Sequence, residues 1–127
     1  MAHFDSPLAA FLHWEGTTPN QPFLRQPING STKEYTYKTA GEEIRRMATA
    51  LQSFGLEPGS HIALISKNCA HWLMADLAIM MSGYVSIPLY PTLGPETIRL
   101  VLEHSESKAI IVGKLDNYEA QKSGIPD

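Results

Sequence analysis

The stretch from His61 to Pro91 reads HIALISKNCAHWLMADLAIMMSGYVSIPLYP and decides the fold. Two short apolar runs, 61–66 and 84–91, flank an apolar segment of helical length, 72–81. This order is typical of a βαβ unit with parallel strands. Only Asp76 interrupts the middle segment, so we predict a helix buried on more than one side. Such a helix needs a further layer above it, which indicates more protein than this chain supplies.

Upstream of this unit, the sequence predicts a helix, a β-hairpin and an amphipathic helix. The Ser-Pro pair at 6–7 suits the N-cap and first position of the first helix. Asn29-Gly30 is a strong hairpin turn signal between strands 23–28 and 33–37. Thr36 is placed to cap the amphipathic helix. The buried face of that helix is predicted to contain Ala40, Ile44, Met47, Ala48 and Leu51.

Several turns and caps connect these elements. Gly55 is expected to take the left-handed conformation after the amphipathic helix. Pro58-Gly59 predicts a type II turn that leads into the first central strand. Asn68 is placed to cap the apolar helix.

Downstream, prolines and a glycine predict an extended loop, formed by Pro88, Pro91, Gly94 and Pro95. Pro95 begins another helix, 108–113 is a third strand, and 114–127 is a poorly defined tail. The order of elements predicts an α/β fold: an open three-layer sheet of parallel βαβ units, joined by right-handed crossovers, plus the amino-terminal helix and hairpin. We interpret residues 1–127 as a single partial domain.

Composition excludes several classes of protein. The chain has 127 residues and a net charge of -3, which argues against a nucleic-acid-binding protein. One cysteine excludes an internal disulfide framework and fits a reducing compartment. The amino terminus lacks the pattern of a secretory signal, and no apolar run reaches the ~20 residues of a membrane span. We expect a cytoplasmic protein, with peripheral membrane attachment left open.

No catalytic constellation is evident from the residues alone. Glycine-rich phosphate loops and the G-x-S-x-G elbow are absent. The five histidines, His3, His13, His61, His71 and His104, lack metal-ligand spacing. Cys69 is a candidate for a reactive thiol, although a small buried side chain is the simpler explanation. Asp76 is a candidate for a functional carboxylate, although an exposed-edge residue or one bonded to neighbouring backbone explains it more simply. Four apolar residues suit either an acyl-binding cavity or, more simply, the hydrophobic core: Trp72, Met74, Met80 and Met81.

Three stretches carry a resemblance to a known family: Tyr35-Thr36-Tyr37, the run from Ser82 to Tyr90, and Pro88-Leu89-Tyr90-Pro91-Thr92. In these stretches the chain resembles the adenylate-forming (AMP-binding) superfamily, and within it the long-chain fatty-acid–CoA ligases. Tyr35-Thr36-Tyr37 is similar to the first core motif, and the run from Ser82 to Tyr90 is similar to the second. The form Pro88-Leu89-Tyr90-Pro91-Thr92 resembles the long-chain branch. The resembling positions that we single out as structural motifs are Tyr35, Thr36, Tyr37, Gly55, Pro58, Gly59, Asn68, Trp72, Gly83, Pro88, Tyr90 and Pro91.

The resemblance implies a ligase of fatty-acid metabolism that uses ATP, Mg²⁺ and coenzyme A. Acyl-AMP and pyrophosphate would form first, and the thiol of coenzyme A would then displace AMP. The phosphate loop, the ribose-binding Asp and the catalytic lysine of the family have no matching position here. We therefore expect an amino-terminal fragment that is inactive alone, with no catalytic, cofactor-binding or metal-binding residue assigned.

The rest of the same polypeptide is the partner that this interpretation implies. A fatty acid would be the substrate of the full-length enzyme. Alternatives remain open: another adenylate-forming branch, such as an acyl-AMP or aryl-CoA ligase, or a freestanding non-catalytic module that pairs with a partner or with itself as a homodimer. One position departs from the family, since His71 stands where a Glu would complete a capping box with Asn68.

Overall fold

The computed structural model describes residues 4–126. In chain order its elements are α1 (Pro7–Thr17), β1 (Pro22–Ile28), β2 (Ser31–Thr36), α2 (Tyr37–Gln52), β3 (His61–Ile65), α3 (Ala70–Met81), β4 (Val85–Leu89), α4 (Pro95–His104), β5 (Ala109–Val112), α5 (Tyr118–Gln121) and a 3₁₀ turn (Lys122–Gly124). No helix among the described residues is both long enough and apolar enough to cross a bilayer.

The predicted caps and hairpin of the amino-terminal part are confirmed. Ser6 Oγ accepts the N–H of Ala9 at 3.0 Å and caps α1. Asn29 and Gly30 have φ angles of 47° and 82°, as a two-residue hairpin turn between β1 and β2 requires. Thr36 begins α2 with a capping box in which Thr39 is the reciprocal partner.

An ion pair between Glu15 and Arg45 joins α1 to α2 and lies directly against Gly41. Both guanidinium Nη atoms of Arg45 donate to the carboxylate of Glu15, at 2.6 and 2.7 Å. These hydrogen bonds raise the pKa of the Arg45 guanidinium above its ordinary value, although partial burial opposes the shift. A β-carbon at Gly41 would lie 1.7 Å from Glu15 Oε2, so a side chain at position 41 would displace Glu15.

The central sheet has the strand order β4-β3-β5, and all pairs are parallel. Ile62 and Leu64 of β3 face α3, while Ala63 and Ile65 pack with α4 on the opposite face. Chain order and strand order differ because the second crossover, through α4, passes β3 and adds β5 on the far side. The α/β fold with parallel βαβ units is confirmed.

The layer that covers α3 comes from the chain itself. Met74, Leu77 and Ala78 of α3 pack in one cluster with Phe11 of α1 and Ile44 of α2. The other side of α3 lies on the sheet. The expectation that a layer of additional protein must cover this helix was therefore wrong, because α1 and α2 already do so.

The carboxy-terminal part is more ordered than the sequence pattern indicates. Gln121 is buried, and its Nε2 donates to the carbonyls of Pro91 and Leu93 at 2.8 and 2.7 Å. Gly124 lies so close to Pro95 that a β-carbon would come 2.1 Å from its carbonyl oxygen. Residues 118–124 thus pack on the start of α4 and do not form a loose tail.

Candidate functional site at the carboxyl edge of the sheet

In open parallel sheets, ligands bind beyond the carboxyl ends of the strands, where the direction of strand order reverses. Strand β3 is central, with β4 added on one side and β5 on the other. Helix α3 follows β3 on one face, and the chain after β5 lies on the α4 face. The crevice between the ends of β3 and β5 is therefore the expected position of a ligand site.

This crevice is closed by hydrogen bonds between the two strand ends. The N–H of Gly113 donates to the carbonyl of Ile65 at 2.9 Å. The buried hydroxyl of Ser66 accepts the N–H of Lys114 at 2.9 Å, and Lys67 N–H donates to the Lys114 carbonyl at 2.7 Å. A β-carbon at Gly113 would lie 2.5 Å from Ser66 Oγ, so the strand ends are as close as a glycine permits.

The start of α3 forms one wall of the crevice, and its cap differs from the prediction. Cys69, not Asn68, is at the N-cap position, and its side chain makes no capping hydrogen bond. The N–H of Ala70 instead donates to Oε1 of Gln26 in β1, at 2.8 Å. The prediction of Asn68 as N-cap is wrong because the hairpin supplies the acceptor from outside the helix, and Asn68 is exposed.

His71 is consequently the second residue of α3, not the third. A Glu at this position could not form the capping box that we expected with Asn68, because that geometry requires the third helical residue. The His71 ring lies edge-on to the Tyr35 ring, with centroids 6.3 Å apart. His71 thus contacts the end of β2.

A cavity with a partly polar lining lies next to the crevice, between the end of the β1–β2 hairpin and the start of α3. Its lining includes Gln26, Asn29, Cys69, His71 and Lys114, and its volume is about 420 Å³. Cys69 is half-buried, with its Sγ 3.8 Å from Ser66 Oγ. Within residues 4–126, no three His, Cys, Asp or Glu side chains come together as a metal site. His3 lies outside the described residues.

An apolar groove lies beside this cavity, between α2, α3 and β5. We call it the β5 groove and define it by Met47, Phe54, Leu64, Trp72, Ile111 and Val112. Its volume is about 410 Å³, and the side chain of Phe54 at its rim is 67% exposed. Trp72 therefore lines a cavity, whereas Met74 is fully buried and Met81 packs against the same cluster. Trp72 and the three methionines that we considered for acyl binding therefore do not line one cavity together.

The structural motif positions are spread over the molecule. Tyr35, Thr36 and Tyr37 join the hairpin to α2, and the Tyr37 ring packs on Phe11 and Phe23. Near the amino ends of the central strands, positive φ angles occur at Gly55 and Gly59, as predicted, and also at Gly83. The N–H of Gly59 donates to the Gly83 carbonyl.

Three further motif positions lie towards the carboxyl edge. Pro88 is inside β4, although we expected it in the following loop. Tyr90 is exposed, and the Pro91 carbonyl accepts a hydrogen bond from Gln121. Asp76 is a half-buried residue of α3.

Sequence reasoning missed the residues that build the crevice. Gln26 and Ala70 lie 44 residues apart in the chain, and Lys114 and Ser66 lie 48 apart. Neither pair belongs to a local motif. Gly113 directly after an apolar run was the one available signal, since a glycine at a strand end indicates close backbone approach.

Comparisons with known proteins identify the family. The AMP-binding enzyme family matches residues 11–126. Long chain acyl-CoA synthetase 2 of Arabidopsis thaliana is 30% identical over 113 residues, which are 85% of this chain and 17% of the relative. Long-chain-fatty-acid–CoA ligase FadD15 of Mycobacterium bovis is 28% identical over 114 residues, covering 90% of this chain and 19% of that protein.

A solved structure has the same fold. The anthranilate CoA ligase AuaEII, in complex with anthranoyl-AMP, superimposes with a TM-score of 0.81 at 17% identity. The match covers 99% of this chain and 24% of the ligase. The chain thus spans less than a quarter of each of these three proteins. Because the family match extends over nearly all of its residues, the chain belongs to the AMP-binding enzyme family.

Proposed function

We propose that this chain is the amino-terminal part of an ATP-dependent long-chain fatty-acid–CoA ligase and is inactive alone. The observation that carries the proposal is its similarity to long-chain acyl-CoA synthetases over most of its length. In the whole enzyme, a fatty carboxylate oxygen would attack the α-phosphorus of ATP, and pyrophosphate would leave. The thiolate of coenzyme A would then attack the acyl carbon, and AMP would leave.

We assign the sites for ATP, Mg²⁺ and coenzyme A to polypeptide outside this chain. Two observations on residues 4–126 support this assignment: no three His, Cys, Asp or Glu side chains come together, and Ser66 and Gly113 fill the crevice between β3 and β5. Opening it for a nucleotide would break the hydrogen bonds of Lys67, Lys114 and Gly113. We derive no catalytic step for a side chain of this chain and propose a scaffolding role.

The test compares the 127-residue chain with a polypeptide extended through the downstream reading frame. Each is incubated with ATP, Mg²⁺, palmitate and coenzyme A, and AMP and palmitoyl-CoA are quantified. We expect equal amounts of both products from the extended polypeptide and neither from the 127-residue chain. AMP formed by the short chain would contradict its inactivity. An extended enzyme that stops at acyl-AMP, or prefers aryl acids, would belong to another adenylate-forming branch.

A second candidate is a freestanding, non-catalytic module that pairs with a partner or with itself. The exposed β5 groove, with Phe54 at its rim, is the observation that favours it. A stop codon directly after Asp127 would support the module, and a downstream phosphate loop would support the ligase. Size-exclusion chromatography with light scattering would detect a homodimer.

Partners and location follow from the ligase proposal. The principal partner is the remaining polypeptide, and a fatty acid is the substrate. A cytoplasmic location, with or without peripheral attachment to a membrane, stays a prediction. Fractionation of cells that express the extended polypeptide would test it.

A further inference from the structure

The two outer edges of the parallel sheet differ in their capacity to accept another strand. The N–H of Val85 donates to the carbonyl of Ser60 on the β3 side. Because donors alternate along a parallel strand, the backbone nitrogens of Ser86 and Pro88 point away from β3. Proline has no N–H, so Pro88 removes a donor from the outer edge of β4. That edge is poorly suited to further pairing.

The outer edge of β5 keeps its donors. Gly113 N–H, directly after β5, donates to the carbonyl of Ile65 at 2.9 Å. With the register Ala63–Ile110 and Ile65–Val112, the same alternation turns the N–H groups of Ile110 and Val112 away from β3. Within residues 4–126, β5 pairs with β3 alone. An unpaired row of this kind is a template for an additional strand.

The surface beside this edge is apolar. Ile111 contributes to the core on the α3 face, and together with Val112 it lines the β5 groove. Val112 is 38% exposed. A strand added to β5 would place alternate side chains over this groove, where apolar side chains would remove Phe54 and Trp72 from water.

The path of the chain after β5 leads back towards the free edge. Ser123 accepts a hydrogen bond from Arg99 of α4, and Ile125 packs in the same cluster as Leu102. Pro126 then lines the same cavity as Lys108, the residue directly before β5. The described chain therefore returns across the α4 face to the end at which a parallel strand begins.

The handedness of the crossovers determines on which side of β5 the chain adds its next strand. The α4 crossover carries the chain from β4, past β3, to β5. A second right-handed crossover on the same face continues in the same direction. It therefore leads to the outer edge of β5 and not back towards β4.

We infer that the polypeptide following residue 127 supplies a parallel β-strand that pairs with the outer edge of β5 and covers the β5 groove. This inference rests on the proposed function, in which the chain is part of a longer enzyme. The relatives have ample polypeptide for it, since this chain covers 17% and 19% of their lengths. The added strand has apolar side chains on its α3 face.

Hydrogen exchange tests the pairing directly, on the extended polypeptide and on the 127-residue chain. We expect the amides of Ile110 and Val112 to exchange at least roughly tenfold more slowly in the extended polypeptide. The amide of Ser86, at the β4 edge, is the matched control and should not change. Protection of Ser86 without protection of Ile110 and Val112, or protection of neither edge, would overturn the inference.

Cysteine labelling tests the groove independently. Val112→Cys and the control Val85→Cys, each with Cys69→Ser, report on the two edges, since Val112 and Val85 are 38% and 45% exposed. Extension of the polypeptide should slow maleimide labelling at position 112 and leave the rate at position 85 unchanged. Equal rates at position 112 in both lengths would contradict the inference.

The remaining outcomes separate this inference from the proposed function. An extended polypeptide that forms palmitoyl-CoA while β5 stays exposed disproves only the inference. A reading frame that ends at Asp127 disproves the proposed function. Protection of β5 in the 127-residue chain that grows with protein concentration identifies a second copy as the occupant and also overturns the inference.

Discussion

A single amide side chain, Gln26, supplies the acceptor for the first N–H of α3. Gln26→Ala should lower the free energy of unfolding by about 1 kcal/mol, because the N–H of Ala70, a buried residue, loses its partner. Urea denaturation followed by circular dichroism measures this change.

Two variants serve as controls for this prediction. Asn68→Ala and Gln52→Ala alter exposed polar side chains, and both should change stability by no more than about 0.5 kcal/mol. A loss for Asn68→Ala as large as that for Gln26→Ala would show that Asn68 caps the helix.

Gly113 is the residue on which closure of the crevice depends. In Gly113→Ala the added β-carbon meets the hydroxyl and β-carbon of Ser66, 2.5 and 2.7 Å away. We expect a loss of about 1–3 kcal/mol in unfolding free energy, because the strand ends must separate. Thermal unfolding of the purified variant measures the loss.

Gly16→Ala is the matched control for this substitution. A β-carbon at Gly16 meets nothing within 4 Å, and the residue lies within α1. We therefore expect a gain of up to about 1 kcal/mol from helix propensity. Equal effects of the two substitutions would mean that the contact with Ser66 does not matter.

At the scale of elements, the contact between α1 and α2 depends on Glu15 and Arg45. The Glu15 side chain is 16% exposed and binds the guanidinium through both carboxylate oxygens. A double-mutant cycle with Glu15→Gln and Arg45→Gln should give a coupling energy of about 1 kcal/mol, the upper end for partly exposed pairs. The exposed pair Arg46–Glu43 is the control and should couple less.

The pH dependence of the contact between Glu15 and Arg45 follows from the direction of the pKa shift of Arg45. The pKa of Arg45 is raised in the folded chain. Its contribution is therefore fully present below the ordinary arginine pKa and is lost only as the pH rises through the raised value. We expect the Arg45→Gln variant and the parent to show the same stability difference at pH 7 and pH 9. A difference that shrinks at pH 9 would contradict this assignment.

Elements with local signals could be predicted from the sequence. The Asn29-Gly30 turn, the Thr36 cap and the buried face of α2 depend on residues close together in the chain. The start of α3 could not be predicted, because the acceptor for its first N–H comes from Gln26 in the hairpin. The local sequence indicates Asn68 as the N-cap instead. Helix α5 was missed because a four-residue element has no periodicity to detect.

At the scale of the whole molecule, the carboxy-terminal residues hold the loop between β4 and α4. Gln121→Leu keeps the side-chain volume but leaves the carbonyls of Pro91 and Leu93 without their donor. We expect a loss of about 1–3 kcal/mol in unfolding free energy. Lys122→Ala, which removes only an exposed ion pair with Glu119, should have little effect. Comparable losses in the two variants would argue against a specific role for Gln121.

The family could be predicted from the sequence, but the candidate site could not. The motif residues from Tyr35 to Pro91 are sufficient for the resemblance, and the match over residues 11–126 confirms it. Closure of the crevice depends on Ser66 meeting Gly113 and Lys114. This contact forms because β5 lies next to β3 in the sheet. No local sequence pattern encodes that strand order.

The central position of β3 also constrains how the chain acquires its structure during synthesis. His61 pairs with Val85, and Ile62 pairs with Ala109, so both neighbours of β3 emerge from the ribosome after it. Helices α1 and α2 and the hairpin can form early, whereas β3 must wait for β5 and bear the entropy of closing a long loop. A nascent chain stalled before Ala109 would expose one side of its most apolar strand to chaperones and proteases.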